Sequence, residues 1–122
     1  MSQHNRILGA AGEDAAKTYL ENQGLEFIAK NFRTPEGEID LIFREGASIH
    51  FVEVKTRSGF SQGYPEEAVT GTKAERMVAV AETYLQEHFA DADIAWQIDV
   101  VAVRMKNGTM QLEWIQDASG DD

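Results

Sequence analysis

Gly37-Glu38-Ile39-Asp40-Leu41-Ile42-Phe43-Arg44, Glu45-Gly46-Ala47 and Ser48-Ile49-His50-Phe51-Val52-Glu53-Val54-Lys55-Thr56 follow one another in the chain, and the fold turns on them. Each long piece alternates in the way a strand does, and the short piece between them is a tight connection. In the first strand Ile39, Leu41 and Phe43 are expected on one face. Glu38, Asp40, Ile42 and Arg44 are expected on the other. In the second, Ile49, Phe51, Glu53 and Lys55 share a face, and His50, Val52, Val54 and Thr56 point the opposite way. With Gly46 near the tip, Asp40 and Glu53 stand about equally far from the turn. An antiparallel pair therefore brings the two carboxylates together.

The pattern extends outward in both directions. Upstream, Arg6 to Gln23 is predicted as a helix, with Leu8, Ala11, Ala15, Tyr19 and Leu20 on one side. Gly24 suits a left-handed helix stop. Leu25 to Arg33 reads as a strand, and Thr34-Pro35-Glu36-Gly37 as a turn. Downstream, Ser58 to Pro65 reads as a loop. Thr72 and Glu75 have the form of a capping box opening a helix that runs to Phe89. Ala74, Val78, Ala81 and Leu85 are its expected buried stripe, flanked by Met77 and Tyr84. Ile94 to Met105 and Met110 to Ile115 are strands joined by Asn107-Gly108, a hairpin signal. The order α-β-β-β-α-β-β implies an α/β fold with a mixed five-stranded sheet flanked by helices. The helical crossover favours a parallel pair between the third and fourth strands.

The chain has 122 residues, enough for one domain. Residues 1–116 are expected to form it, with 117–122 a short acidic, disordered tail. There is no cysteine, which excludes disulfides and thiolate metal sites. His4, His50 and His88 lack ligand spacing, so zinc is not expected. The apolar runs, such as Val100-Val101-Ala102-Val103, are too short for a membrane span. The first residues lack a signal-peptide core, and a cytoplasmic protein is the expectation.

The formal net charge is −10, which opposes nucleic-acid binding by the whole surface. The acids are unevenly placed. Residues 30–76 hold seven bases against eight acids, and the rest of the chain holds four bases against thirteen acids. A bound magnesium ion would make the middle segment positive.

Asp40, Glu53 and the carbonyl of Val54, completed by waters, suit magnesium, which prefers an octahedron of oxygens. Lys55 leaves the same strand face as Glu53, and Glu13 approaches from the first helix. Such a set suits phosphodiester hydrolysis, with the cation acidifying a water and stabilising charge. Glu-x-Lys in a strand is by itself a common pattern of exposed sheets. The weight lies in Asp40 preceding it on a neighbouring strand. Ile49 and Phe51 also make that face partly apolar, so charges there need partners or a metal.

Gly9-Ala10-Ala11-Gly12-Glu13, Asn31-Phe32-Arg33, Gly37-Glu38-Ile39-Asp40-Leu41-Ile42, Phe51-Val52-Glu53-Val54-Lys55-Thr56-Arg57 and Ile98-Asp99-Val100-Val101 closely resemble the bacterial YraN family over residues 5–115. That family is similar to the restriction-endonuclease-like PD-(D/E)xK superfamily, and particularly to archaeal Holliday junction resolvases. The resemblance implies Glu13, Asp40, Glu53 and Lys55 as the catalytic set. It also implies magnesium-dependent cleavage of branched or structured DNA, with manganese as a substitute ion. Two departures stand out. Gln97-Ile98-Asp99 replaces the family's Arg-Phe-Asp, and Thr34-Pro35-Glu36 replaces a glycine-rich lead-in.

Lys73 and Arg76, at the start of the second helix, are candidate phosphate contacts, with Arg33 and Arg57 beside them. Each has a plain alternative as a solvated surface charge. Asp99, in an apolar strand, is expected to fix a neighbouring side chain rather than bind metal. His50 is expected to be a half-buried sheet residue, and Trp96 and Trp114 core or hairpin residues. The competing functions are a nucleic-acid-binding module without catalysis, and an interaction protein whose acidic ends recruit a basic recombination partner. Symmetric cutting of two strands would require a homodimer.

Overall fold

A computed structural model describes residues 3–58, 71–90 and 93–118. The elements follow the expected order: α1 (Gln3–Asn22), β1 (Glu26–Thr34), β2 (Gly37–Glu45), β3 (Ser48–Ser58), α2 (Gly71–Phe89), β4 (Ala95–Lys106) and β5 (Thr109–Ile115). The sheet order is β1-β2-β3-β4-β5, antiparallel except for the parallel β3–β4 pair. That parallel pair spans Ser48↔Ala95 to Ser58↔Met105. Apart from Ser58 itself, the predicted Ser58–Pro65 loop lies outside the described residues.

The turn chemistry explains the connections. Gly24, at φ 99°, ends α1: its amide donates to Glu21, and the Leu25 amide donates to Leu20 at 3.1 Å. This bonding satisfies carbonyls that a helix end leaves unpaired. Asn107 and Gly108 have φ of 52° and 76°, which fits the type I′ hairpin expected there. Gly46, at φ 60°, turns β2 into β3.

Each sheet face buries one apolar cluster under one helix. Met77, Val80, Ala81 and Tyr84 of α2 pack on Ile39, Ile42, Ile49, Phe51, Ile98 and Val100. Ala16 and Leu20 of α1 pack on Leu41, Phe43, Val52, Val101 and Val103. Both helix stripes are rotated from those predicted. Gly12, Ala16 and Leu20 are the buried line of α1, because Gly12 lies directly against Thr56 and lets the helix approach β3. The α2 stripe centres on Met77, Val80, Ala81 and Tyr84, while Ala74, Val78 and Leu85 are only partly buried. Periodicity locates a stripe, but the closest backbone approach decides its centre.

The predicted faces of β2 need a similar correction. Ile39 lies with Ile42 on the α2 side, whereas Leu41 and Phe43 lie on the α1 side. Alternation breaks at Asp40. The β1–β2 register passes from Phe32↔Ile39 to Lys30↔Leu41, and Asn31, between them, has a φ of 54°. A register shift between Phe27 and Ala29 irregularises the same edge.

Asp117 and Ala118, expected in a frayed tail, are tied down. The Asp117 amide donates to Asp99 at 2.9 Å, and the Ala118 amide donates to Ile98 at 2.7 Å. Residues 119–122 lie outside the described residues. Among the described residues, no helix is long and apolar enough to cross a membrane.

Candidate active site

The break at Asp40 shapes the site. The β2–β3 ladder ends at Leu41↔Val52. Continued by one residue, its register sets Asp40 against Glu53. Asp40 does not pair there as a strand residue. Its Oδ2 instead accepts the Val54 amide at 2.8 Å. That bond pins the carboxylate across the hairpin. Asp40 and Glu53 then line one cleft of about 310 Å³ with Gly37, Glu38, Lys73, Arg76 and Met77.

Glu53 is 7% exposed, so its charge needs compensation. Two ammonium groups supply it. Lys73 Nζ lies 2.8 Å from Glu53 Oε2, and Lys55 Nζ lies 3.2 Å from the same oxygen. The two lysines respond in opposite directions. Burial, and then the neighbouring Lys73, lower the Lys55 pKa below the ordinary lysine range. Burial pulls Lys73 down most strongly of any one cause, but its hydrogen bond to Glu53, its contact with Lys55 and the charges of Glu53 and Asp40 together raise it. The two ammonium groups on one carboxylate are thus shifted in opposite directions.

Burial and the Glu53 charge push the Asp40 carboxyl up to about 7, against the pull of the Val54 amide. This tests whether a divalent cation suits the cleft. Two carboxylates face each other at a site where ionising both is unfavourable, and a dication relieves that repulsion. Magnesium needs only one or two carboxylates, since it keeps several waters. The residues fit such an ion. They do not form a complete cage: among the described residues, no three His, Asp or Glu side chains are grouped to hold a metal by themselves.

Glu13 stands apart from this cleft. It lines a neighbouring one of about 420 Å³ with Asp14, Lys17, Lys30 and Phe27, on the α1 side. Its carboxyl is still raised, first by burial and then by Glu38, with a smaller push from Glu53. The charges of the two clefts therefore act on one another, although the expected four-residue set is not gathered into one pocket.

Among the cationic candidates, Lys73 and Arg76 line the Asp40 cleft. Arg33 Nε donates to Glu38 at 2.9 Å. Arg57 donates to the Thr56 carbonyl at 3.1 Å. Glu38 is a cleft residue that the sequence argument passed over. Its predicted position on the Asp40 face was the available signal. The Lys73–Glu53 bond was not foreseen, because its partners lie 20 residues apart on different elements.

Asp99 does fix its neighbours, as expected. It is fully buried, and its carboxylate meets His50 Nδ1 (2.7 Å), Gln97 Nε2 (2.8 Å), Trp114 Nε1 (2.9 Å) and the Asp117 amide. His50 is only 2% exposed, more deeply buried than expected, and its Nε2 reaches Glu45 at 3.1 Å. The hydrogen bond with Asp99 raises the His50 pKa despite its burial. Burial pushes Asp99 up, but its donors, led by His50, bring it below the usual carboxylate range.

A mixed five-stranded sheet between two helices, with an acid-lined cleft buttressed by lysines beside β2 and β3, defines a class of small α/β proteins. Within that class the chain belongs to the UPF0102 family: the model described as "Uncharacterised protein family UPF0102" matches residues 12–103. A UPF0102 protein of Beutenbergia cavernae is 46% identical over 110 residues, covering 89% of this chain and 92% of the relative. A UPF0102 protein of Desulforapulum autotrophicum is 39% identical over 118 residues, covering 97% of each. One from Rhodococcus opacus is 44% identical over 119 residues, covering 94% of this chain and 98% of the relative.

Proposed function

We propose that this protein is a metal-dependent endonuclease that hydrolyses phosphodiester bonds in DNA, with branched or otherwise structured DNA as its substrate. The observation that carries this is the cleft that Asp40, held by the Val54 amide, and Glu53 line together, with the Lys55 ammonium 3.2 Å from Glu53. The resemblance to PD-(D/E)xK nucleases assigns the same residues.

Asp40 and Glu53, with the Val54 carbonyl, would hold magnesium or manganese. When bound, that ion supplies Lewis acidity, which stabilises charge on the phosphoryl oxygens and lowers the pKa of an attacking water. Every other role belongs to the chain. The Val54 amide orients the Asp40 carboxylate and removes its freedom to rotate. Lys55, with its lowered pKa, is suited to take a proton from the nucleophilic water or to pass one to the leaving oxygen. Lys73 and Arg76, near the positive end of α2, bind substrate phosphate. Arg33 and Arg57 extend the basic contacts. Glu13 acts from the adjoining cleft, where its charge biases Asp40. The site in one chain cuts one strand, so paired cuts would require a second copy.

A non-catalytic DNA-binding module is the second reading. It is favoured by the two lysines that already neutralise Glu53. Incubation with fork, flap, four-way-junction and single-stranded DNA, in magnesium or manganese, separates the two. Cleavage by the wild type and none by Asp40→Ala supports the nuclease. Binding of DNA without product, and without stabilisation by metal, supports the module.

A further inference from the structure

The two cations on Glu53 differ in how they are held. Lys55 leaves β3 two residues beyond Glu53, so the strand itself fixes its place. Lys73 comes from the first turn of α2, with 40% of its side chain exposed, on a flexible four-carbon stem. Both ammonium groups share Oε2 of Glu53, and Lys73 is the closer at 2.8 Å. A divalent cation drawn to this carboxylate meets a positive charge already in contact with it.

Resting on the metal-site reading above, we propose that Lys73 is an exchangeable counter-ion of Glu53: it competes with the divalent cation for that carboxylate, and its ammonium is released from Glu53 when the cation binds. Lys55 is less suited to this role, because it is the more enclosed of the two, with 24% of its side chain exposed against 40% for Lys73. Arg76, one helical turn along α2 from Lys73, lines the same cleft. The competition keeps a buried carboxylate compensated at all times. It also weakens metal affinity, since each ion binds at the expense of the other. Removal of Lys73 should therefore strengthen metal binding, the opposite of what loss of a ligand does.

The test is calorimetric titration of the full chain with manganese at pH 8, using wild type, Lys73→Gln, Lys73→Arg and Asp40→Asn. Lys73→Gln should bind manganese roughly tenfold more tightly than wild type, the scale expected for loss of one competing, partly buried charge. Lys73→Arg, which keeps the charge, should stay close to wild type. Equal or weaker binding by Lys73→Gln overturns the proposal. Asp40→Asn separates the two ideas. If it binds manganese as wild type does, the metal-site reading has failed. If it loses binding while Lys73→Gln is unchanged, only the counter-ion proposal has failed.

Discussion

Asp40→Asn should make the protein more stable at pH 8 while removing its response to metal. Asparagine has the shape of aspartate and keeps an oxygen to accept the Val54 amide, so the change isolates charge. In the fold the Asp40 pKa rises from 3.8 to about 7. The folded state therefore binds the Asp40 proton more tightly than the unfolded chain does. Stability falls as pH rises from the unfolded pKa through the folded one, and then levels off. A rise of that size corresponds to about 4 kcal/mol against the ionised form at pH 8. Glu53 contributes to it and relaxes when Asp40 is neutral, so about 2 kcal/mol is the expected gain for Asp40→Asn. The gain should be near zero at pH 4 and grow toward pH 8. Urea denaturation of both proteins with chelator, at pH 4, 6 and 8, measures it. Repeated in excess magnesium, the wild type should gain stability as a ligand-binding protein does, and Asp40→Asn should not. An Asp40→Asn protein that is less stable than wild type at pH 8 would refute the claim that Asp40 is held at an electrostatic cost.

Other consequences are testable in the same way. Glu53→Gln should abolish DNA cleavage in magnesium, and product formation at the wild-type rate in a gel assay would remove Glu53 from the mechanism. Asp99→Ala breaks the buried pair with His50 and takes the acceptor from three half-buried or exposed donors; it should cost about 3–5 kcal/mol in denaturant unfolding, whereas a loss below about 1 kcal/mol would mean the network relaxes freely. The His50–Asp99 contribution has its own pH window. His50 stabilises fully below its unfolded pKa of about 6.5 and stops as pH rises through its higher folded value. Asp99 stabilises above about 3.9 and stops as pH falls through its lower folded value. The difference between wild type and His50→Gln should thus be largest between these limits and shrink as pH rises through the folded His50 value, as read by urea midpoints. Gly12→Ala would drive a methyl into the Thr56 side chain. It should lower stability by about 1–3 kcal/mol, and an unchanged melting temperature would show that α1 can shift away.

Much of this molecule is legible in short stretches of the chain. The seven elements, their order, the Gly24 stop, the Asn107-Gly108 hairpin and the parallel crossover follow from periodicity and turn residues. So does the opposition of Asp40 and Glu53, because the tight Glu45-Gly46-Ala47 connection leaves little choice of register. These are local or nearly local matters, set by backbone geometry and by side chains a few positions apart.

Tertiary packing alone decided which groups meet. Ile39 crosses to the α2 side because the strand breaks at Asp40. Lys73 reaches Glu53 because α2 docks on the sheet through Met77 and Val80, and Glu13 falls in its own cleft because Gly12 presses α1 onto Thr56. His50 finds Asp99 across 49 residues. Contacts of this kind depend on where a whole helix or strand comes to rest, and that is a sum over many apolar contacts that no short motif records.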